Sequence, residues 1–279
     1  MSNSLSFVLK QSGAIARITL NRSKKRNALN WHFWTEFPKT IRALSDSGQT
    51  RVLLIDATGP VFCAGIDLAM FSDMGSSVKT AHDREAFRHI LAQMQSGFDA
   101  LEAARFVVIA AIQGPCLGGG VDLISACDLR YGTTNAEFRI EEINVGMMAD
   151  LGTLQRLPKL ISPALVAELA YTGASMDAKQ AVVCGLLNAQ FAEARQLASH
   201  VNAIAETIAE KPPLAIAATK DAILHARDHS VAETMRYMRA LQAGIFQPQD
   251  IEAAITARIN KQTPAFDDLT KLSSNEIEN

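Results

Sequence analysis

The chain has 279 residues, 48% hydrophobic and 20% charged, with a formal net charge of -2. This is the composition of a globular, soluble protein that buries one large core, or one core with an appendage. The near-neutral charge gives no electrostatic reason to expect nucleic acid as a partner.

Phe7–Leu9 and Ala14–Leu20 read as strands flanking the Gln11-Ser12-Gly13 turn, which predicts an N-terminal hairpin. A small basic cluster, Lys24-Lys25-Arg26, precedes a stretch with helical spacing, Asn27–Leu44. Arg51–Ala57 is a short apolar run closed by Thr58-Gly59-Pro60, the pattern of a buried strand, and the loop Val61–Asp67 follows. From His82 to Arg105, Phe87, Ile90, Leu91, Met94, Phe98 and Leu101 recur every three or four residues, so a long helix packs one face inward.

Phe106–Ile112 reads as the next buried strand, broken by Gly114-Pro115. The run Gly118-Gly119-Gly120 then leads into a helix over Val121–Ala126, and Asp128–Tyr131 and Glu137–Ile140 read as two short strands. Two units look alike: an apolar strand, a Gly/Cys loop and a short helix, beginning at Arg51 and at Phe106. Strands alternating with helices predict an α/β core with parallel pairing.

Beyond Leu151 helical periodicity dominates: Leu151–Leu160, Pro163–Tyr171, Ala192–Glu210, Pro213–Arg227, Val231–Ala243 and Gln249–Ile259, with one further strand near Leu187–Phe191. The reading divides the chain into an α/β core with the active site over 1–191 and a helical region over 192–279. The polar end Lys261–Asn279 is expected to pack poorly unless a partner holds it.

Cys63, Cys116, Cys127 and Cys184 show no C-x-x-C and sit among apolar or small residues, as buried free thiols do in a reducing compartment. The six histidines have no ligand spacing, so no metal is expected. The first residues lack a basic leader with a long apolar core, and Phe106–Ile112 is too short to span a bilayer. The last residues, Glu278-Asn279, are no peroxisomal address, so a cytoplasmic location is expected.

Chemistry is concentrated in three carboxylates, Asp122, Glu142 and Asp150, set in apolar and glycine-rich surroundings. A carboxyl removed from water resists ionising, which raises its pKa towards the range where it exchanges protons with carbon near neutral pH. Each one alone reads equally well as a helix cap or a salt-bridged surface group.

The loops Val61–Leu68 and Cys116–Leu123 lack both phosphate-cradling glycine motifs. Their small residues let the backbone approach a ligand, and N–H groups from the two loops can converge on one oxygen. Close helix packing explains the same glycines on spacing alone.

Four segments carry a resemblance: Asn21–Asn30 (NRSKKRNALN), Phe62–Leu68 (FCAGIDL), Gly114–Tyr131 (GPCLGGGVDLISACDLRY) and Glu142–Lys159 (EINVGMMADLGTLQRLPK). Over roughly residues 7–259 the chain resembles the crotonase, or enoyl-CoA hydratase/isomerase, superfamily, and within it most of all the Δ3,5-Δ2,4-dienoyl-CoA isomerases. The resemblance implies a spiral of repeated ββα units followed by a helical region. It implies an acyl-CoA thioester substrate with no further cofactor, and self-association as a homotrimer or dimer of trimers.

Residue by residue, the resemblance puts the backbone N–H groups of Ala64 and Gly119 on the thioester oxygen, with Gly120 beside them. Asp122 and Glu142 fall where hydratases carry two glutamates, and Asp150 where dienoyl-CoA isomerases place a third acid. Lys24 and Arg26 fall near the CoA phosphates, and Ala64, Gly65, Ile66, Asp67 and Leu68 along the CoA path. The implied reaction turns 3,5-dienoyl-CoA into 2,4-dienoyl-CoA in fatty-acid β-oxidation, with Glu142 as base at C2, Asp150 as acid at C6 and Asp122 in support. Two rivals are an enoyl-CoA hydratase in which Asp150 is only an N-cap, and a non-catalytic scaffold that binds acyl-CoA.

Overall fold

Gly13, at φ +55°, turns the chain between β1 (Phe7–Ser12) and β2 (Ile15–Leu20), which pair antiparallel as the expected hairpin. The computed structural model describes residues 5–70 and 78–272. The hairpin opens a six-stranded sheet that continues through β3 (Val52–Ala57), β4 (Val107–Ile112), β6 (Leu129–Thr133) and β9 (Ala189–Phe191). From β2 onward every pairing in this sheet is parallel. A second sheet of three short strands comprises β5 (Cys116–Leu117), β7 (Glu137–Arg139) and β8 (Ser175–Asp177).

Parallel strands are covered on both faces, and β3 shows it. Leu53 and Ile55 join one core with Phe33, Trp34 and Phe37 of helix α1 (Trp31–Ser47) and Phe98 of α2 (Ala81–Ala103). Val52 and Leu54 join the other, against Leu197, Val201 and Ala205. Those three lie on α7 (Ala194–Ala209), which follows α3 (Gly119–Ser125), α4 (Thr153–Arg156), α5 (Pro163–Thr172) and α6 (Ala178–Val183). The chain continues through α8 (Pro213–Asp228), α9 (Val231–Gly244) and α10 (Pro248–Asn260).

Most expected elements are present, and the departures have local causes. The first helix starts at Trp31 rather than Asn27, because Arg26 and Asn27 adopt left-handed φ angles of 52° and 55° and Asn30 caps the helix. Leu151–Leu160 is not one helix: Gly152, at φ +129°, delays its start to Thr153, and the turn Leu157–Lys159 around Pro158 is 3₁₀. The short helix expected after the first Gly/Cys loop runs into residues outside those described.

The end of the chain is better held than expected up to Leu272. Arg51 donates to the Phe266 carbonyl at 2.7 Å, Arg105 to that of Thr270 at 3.1 Å, and the Leu272 N–H to Asp46 at 2.8 Å. The rest of that stretch, 273–279, lies outside the described residues.

Asn27 fixes the loop that enters the site. Its buried amide accepts from the Arg22 N–H and donates to the Thr58 and Val61 carbonyls, each at 2.8 Å. Asn27→Ala should therefore cost about 3 kcal/mol in urea unfolding, from lost hydrogen bonds and left-handed strain. Asn27→Gly should cost less, because it removes only the bonds; equal losses would show that the backbone conformation contributes nothing.

Candidate active site

Gly118 makes the site possible. Its φ of +50° turns the chain from β5 into α3, and a methyl group there would come within 3.0 Å of the Glu142 Oε1. Its carbonyl accepts from the Val121 and Asp122 N–H groups, starting a short helix in which every residue is buried. Asp122, in the first turn, is only 1% exposed.

Glu142 opens a 3₁₀ turn after β7 and is also buried, while Asp150 is half-buried in the irregular stretch before Gly152. The Asp122 Oδ1 accepts the Thr153 N–H at 2.7 Å. Asp122 thereby ties the start of α4, and the Asp150 segment just before it, to α3. Asp150 is not the cap of that helix: the N-cap position is Gly152, with no side-chain bond.

The three carboxyls share one electrostatic environment. Burial, reinforced by the Asp122 charge and then that of Asp150, pushes Glu142 up to about 7. Burial also pushes Asp122 up to about 6, against the opposing pull of Thr153 and Arg156. Asp150 is raised as well, again by burial. The Asp122 Oδ2 and Glu142 Oε2 are buried with no hydrogen-bond partner among the described residues, a costly state for a carboxylate and a tolerable one for a carboxylic acid.

Glu142 faces a cavity of about 180 Å³ whose wall also includes Arg26, Ala64, Gly65, Ile66, Leu68 and Gly119. The walls also include Glu141, Val145 and Met147, which were not singled out from the sequence although they stand beside Glu142 or between it and Asp150. Asp122 and Asp150 are not among the residues that line the cavity. A larger cavity of about 600 Å³ lies beside Lys220, whose ammonium is already paired with Asp128 at 2.9 Å and bonded to two carbonyls. Chemistry, not size, selects the smaller one.

The backbone donors differ from expectation. The Ala64 N–H is spent on the Arg26 carbonyl at 3.0 Å, the Gly65 N–H on the Cys63 Sγ at 3.4 Å and the Asp67 N–H on the Leu29 carbonyl at 2.9 Å. Ile66, between them, keeps an N–H with no acceptor among the described residues. A methyl group on Gly119 would lie 3.6 Å from the Ile66 nitrogen, so these two backbones meet at the cavity wall. The Ile66 and Gly119 backbones thus meet at this wall, and Ala64, its N–H taken up by Arg26, contributes only wall.

Other expected contacts are redirected too. Gly120 backs onto Cys63 and Cys116 instead of the cavity, and its missing side chain is what lets them approach. The Asp67 carboxylate pairs with Arg22 at 2.9 Å and accepts the Ala69 N–H, which commits it to the loop's own structure. Arg26 is exposed at the mouth; Lys24 is exposed on the neighbouring turn, off the cavity wall. Burial pushes the Cys63 and Cys127 thiols up to about 12, so they pack as inert apolar groups.

The Glu142 shift makes stability pH-dependent with a definite sign. Its folded pKa lies above the ordinary 4.5, so the fold favours the protonated form; that contribution is complete below 4.5 and is lost as pH rises through about 7. Glu142→Gln, which cannot ionise, should match the parent in thermal melts near pH 4.5. Above pH 7 it should be the more stable by roughly 2–3 kcal/mol; a constant difference across that range would contradict a buried, uncompensated carboxyl.

Residues 10–269 match the family model described as enoyl-CoA hydratase/isomerase. The chain is 37% identical over 257 residues to the peroxisomal Δ(3,5)-Δ(2,4)-dienoyl-CoA isomerase of Arabidopsis thaliana, covering 91% of this chain and 92% of that one. It is 38% identical over 250 residues to the mitochondrial enzyme of the same name from Homo sapiens, covering 87% and 75%. Among solved structures, a Thermobifida fusca YX protein in complex with acetoacetyl-CoA superposes with a TM-score of 0.78 at 30% identity, covering 86% of this chain and 94% of that one. With fold and sequence in agreement, the chain belongs to the enoyl-CoA hydratase/isomerase family of enzymes.

Proposed function

We propose that the chain isomerises 3,5-dienoyl-CoA to 2,4-dienoyl-CoA. The observation that carries this reading is the third acid: Asp150, half-buried with a raised pKa, is close enough for its charge to act on both Asp122 and Glu142. Hydration asks for two carboxylates on one side of the C2–C3 bond. A shift from C2 to C6 needs a further acid displaced along the acyl chain.

In this mechanism the thioester oxygen sits between the Ile66 and Gly119 N–H groups. Glu142, with a pKa near neutrality, takes the C2 proton. The released electron pair forms the C2–C3 double bond, the C3–C4 double bond moves to C4–C5, and the C5–C6 pair takes a proton from Asp150 at C6. Between the two proton steps the C2 pair rests in the C1–C2 bond of a conjugated enolate, with the C3–C4 and C5–C6 double bonds still in place and the charge on the thioester oxygen, where each backbone donor is worth about 3–4 kcal/mol of barrier. Asp122 holds the Thr153 N–H and, by its charge, lifts the pKa of Glu142, which makes that group the stronger base.

The same reading places the CoA phosphates near Arg26 and Lys24 and the reaction in fatty-acid β-oxidation, with no cofactor beyond the CoA of the substrate. It keeps the cytoplasm as compartment, to be checked with a fluorescent fusion, since the names of the two relatives are peroxisomal and mitochondrial. Assembly as a trimer, or a trimer pair, would cover the exposed Val231, Met235, Phe246, Ile255 and Ile259 of the C-terminal helices; α9 has no buried residue in the single chain. Light scattering should then report three or six copies, and a monomer would count against it.

The decisive assay follows 2,4-diene absorbance from 3,5-dienoyl-CoA. Asp150→Asn should lower that rate at least about a hundredfold, the scale of one acid/base group, while C2 hydrogen exchange in heavy water persists. Water addition to 2-enoyl-CoA with no diene formed would make the protein a hydratase instead, and tight acyl-CoA binding without C2 exchange a non-catalytic scaffold.

A further inference from the structure

Helix α2 presents a polar stripe, Gln95, Asp99 and Glu102, at spacings of four and three residues, hence on one face. All three side chains grip the segment that carries Asp150. Gln95 donates its amide to the Asp150 carbonyl at 2.7 Å. Asp99 and Glu102 hold the buried Arg156 guanidinium at 2.6 and 2.9 Å. Arg156 in turn donates to the Leu151 carbonyl at 3.3 Å and fills the space over Gly152, where a methyl group would collide with it.

The grip has an outer anchor. Burial alone would raise the Glu102 carboxyl, but its pairs with Arg156 and Arg227 outweigh that and hold it below the ordinary value. Arg227 comes from the last turn of α8, so the C-terminal helical region closes the network.

We propose that Gln95, Asp99, Glu102 and Arg156 are positioning residues that set the reach of Asp150 towards C6, and that Gln95, uncharged and bonded to the Asp150 carbonyl, does so while leaving the C2 end of the reaction untouched. The inference rests on the reading of Asp150 as the distal acid. Its physical basis is that one segment carries Asp150 and is fixed to α2, whereas Glu142, Ile66 and Gly119 lie on other segments and take no bond from this stripe.

The test compares two rates in each variant: formation of 2,4-dienoyl-CoA, and C2 hydrogen exchange of 3,5-dienoyl-CoA in heavy water. Gln95→Leu, a half-buried site where folding should survive, is expected to lower isomerisation about ten- to a hundredfold while exchange stays within about twofold, as for a misplaced acid. Arg156→Lys should retain more isomerisation than Arg156→Met. Proportional loss of both rates, or no loss of either, in Gln95→Leu overturns the positioning role alone. A parent enzyme that exchanges at C2 and makes no diene overturns the distal-acid reading, and this inference with it.

Discussion

The hydrogen bond from the Thr153 N–H to the Asp122 carboxyl, 2.7 Å long and wholly buried, joins the two halves of the site. One side of it is α3, whose glycine turn also bears Gly119; the other is the segment that delivers Asp150. Such a bond helps the charged form of Asp122, yet burial still leaves the group up at about 6. Magnitudes decide the outcome: a single neutral donor does not offset removal from water, and the remaining oxygen has no partner among the described residues. The site therefore holds Asp122 and Glu142 near the pH at which they can give or take a proton, and this follows from their placement more than from any one contact.

The glycine loops answer a different demand. Ala64 and Gly65 spend their N–H groups on Arg26 and Cys63, and Asp67 on Leu29, and those bonds pin the loop on both sides of Ile66, whose nitrogen lies beside Gly119. On the proposed isomerase reading, an oxygen received there would meet donors that need no reorganisation as charge develops. Gly65, at φ +89°, supplies the backbone conformation between them.

Much of this was legible in the sequence. The strands Val52–Ala57 and Val107–Ile112 follow from their apolar runs, and the long helix Ala81–Ala103 from its spacing. The three acids were legible because charge stands out among apolar neighbours. What could not be read was anything set by a single backbone bond: which of Ala64 and Ile66 offers its N–H, or that Asp122 rather than Asp150 accepts from Thr153. The two-residue strand Cys116–Leu117 has no periodicity to read, and the left-handed Arg26 and Asn27 look helical by spacing because periodicity does not see φ. The stripe on α2 was present in the sequence as polar residues on an otherwise amphipathic helix, indistinguishable there from a solvated face.

That stripe explains why charged groups are retained so near a core. An apolar contact between α2 and the Asp150 segment would stabilise the fold at least as well, since a buried ion pair gains little over well-packed hydrocarbon. It would not define direction: apolar surfaces slide, whereas the Arg156 guanidinium, with one Nη on Asp99 and Glu102 and the other on the Leu151 carbonyl, and the Gln95 amide on the Asp150 carbonyl favour one register. A proton donor displaced from its acceptor by an ångström loses much of its rate. Specificity of position, more than stability, is what the Asp99, Glu102 and Arg156 charges contribute, and Arg227 makes the C-terminal helices part of the same constraint.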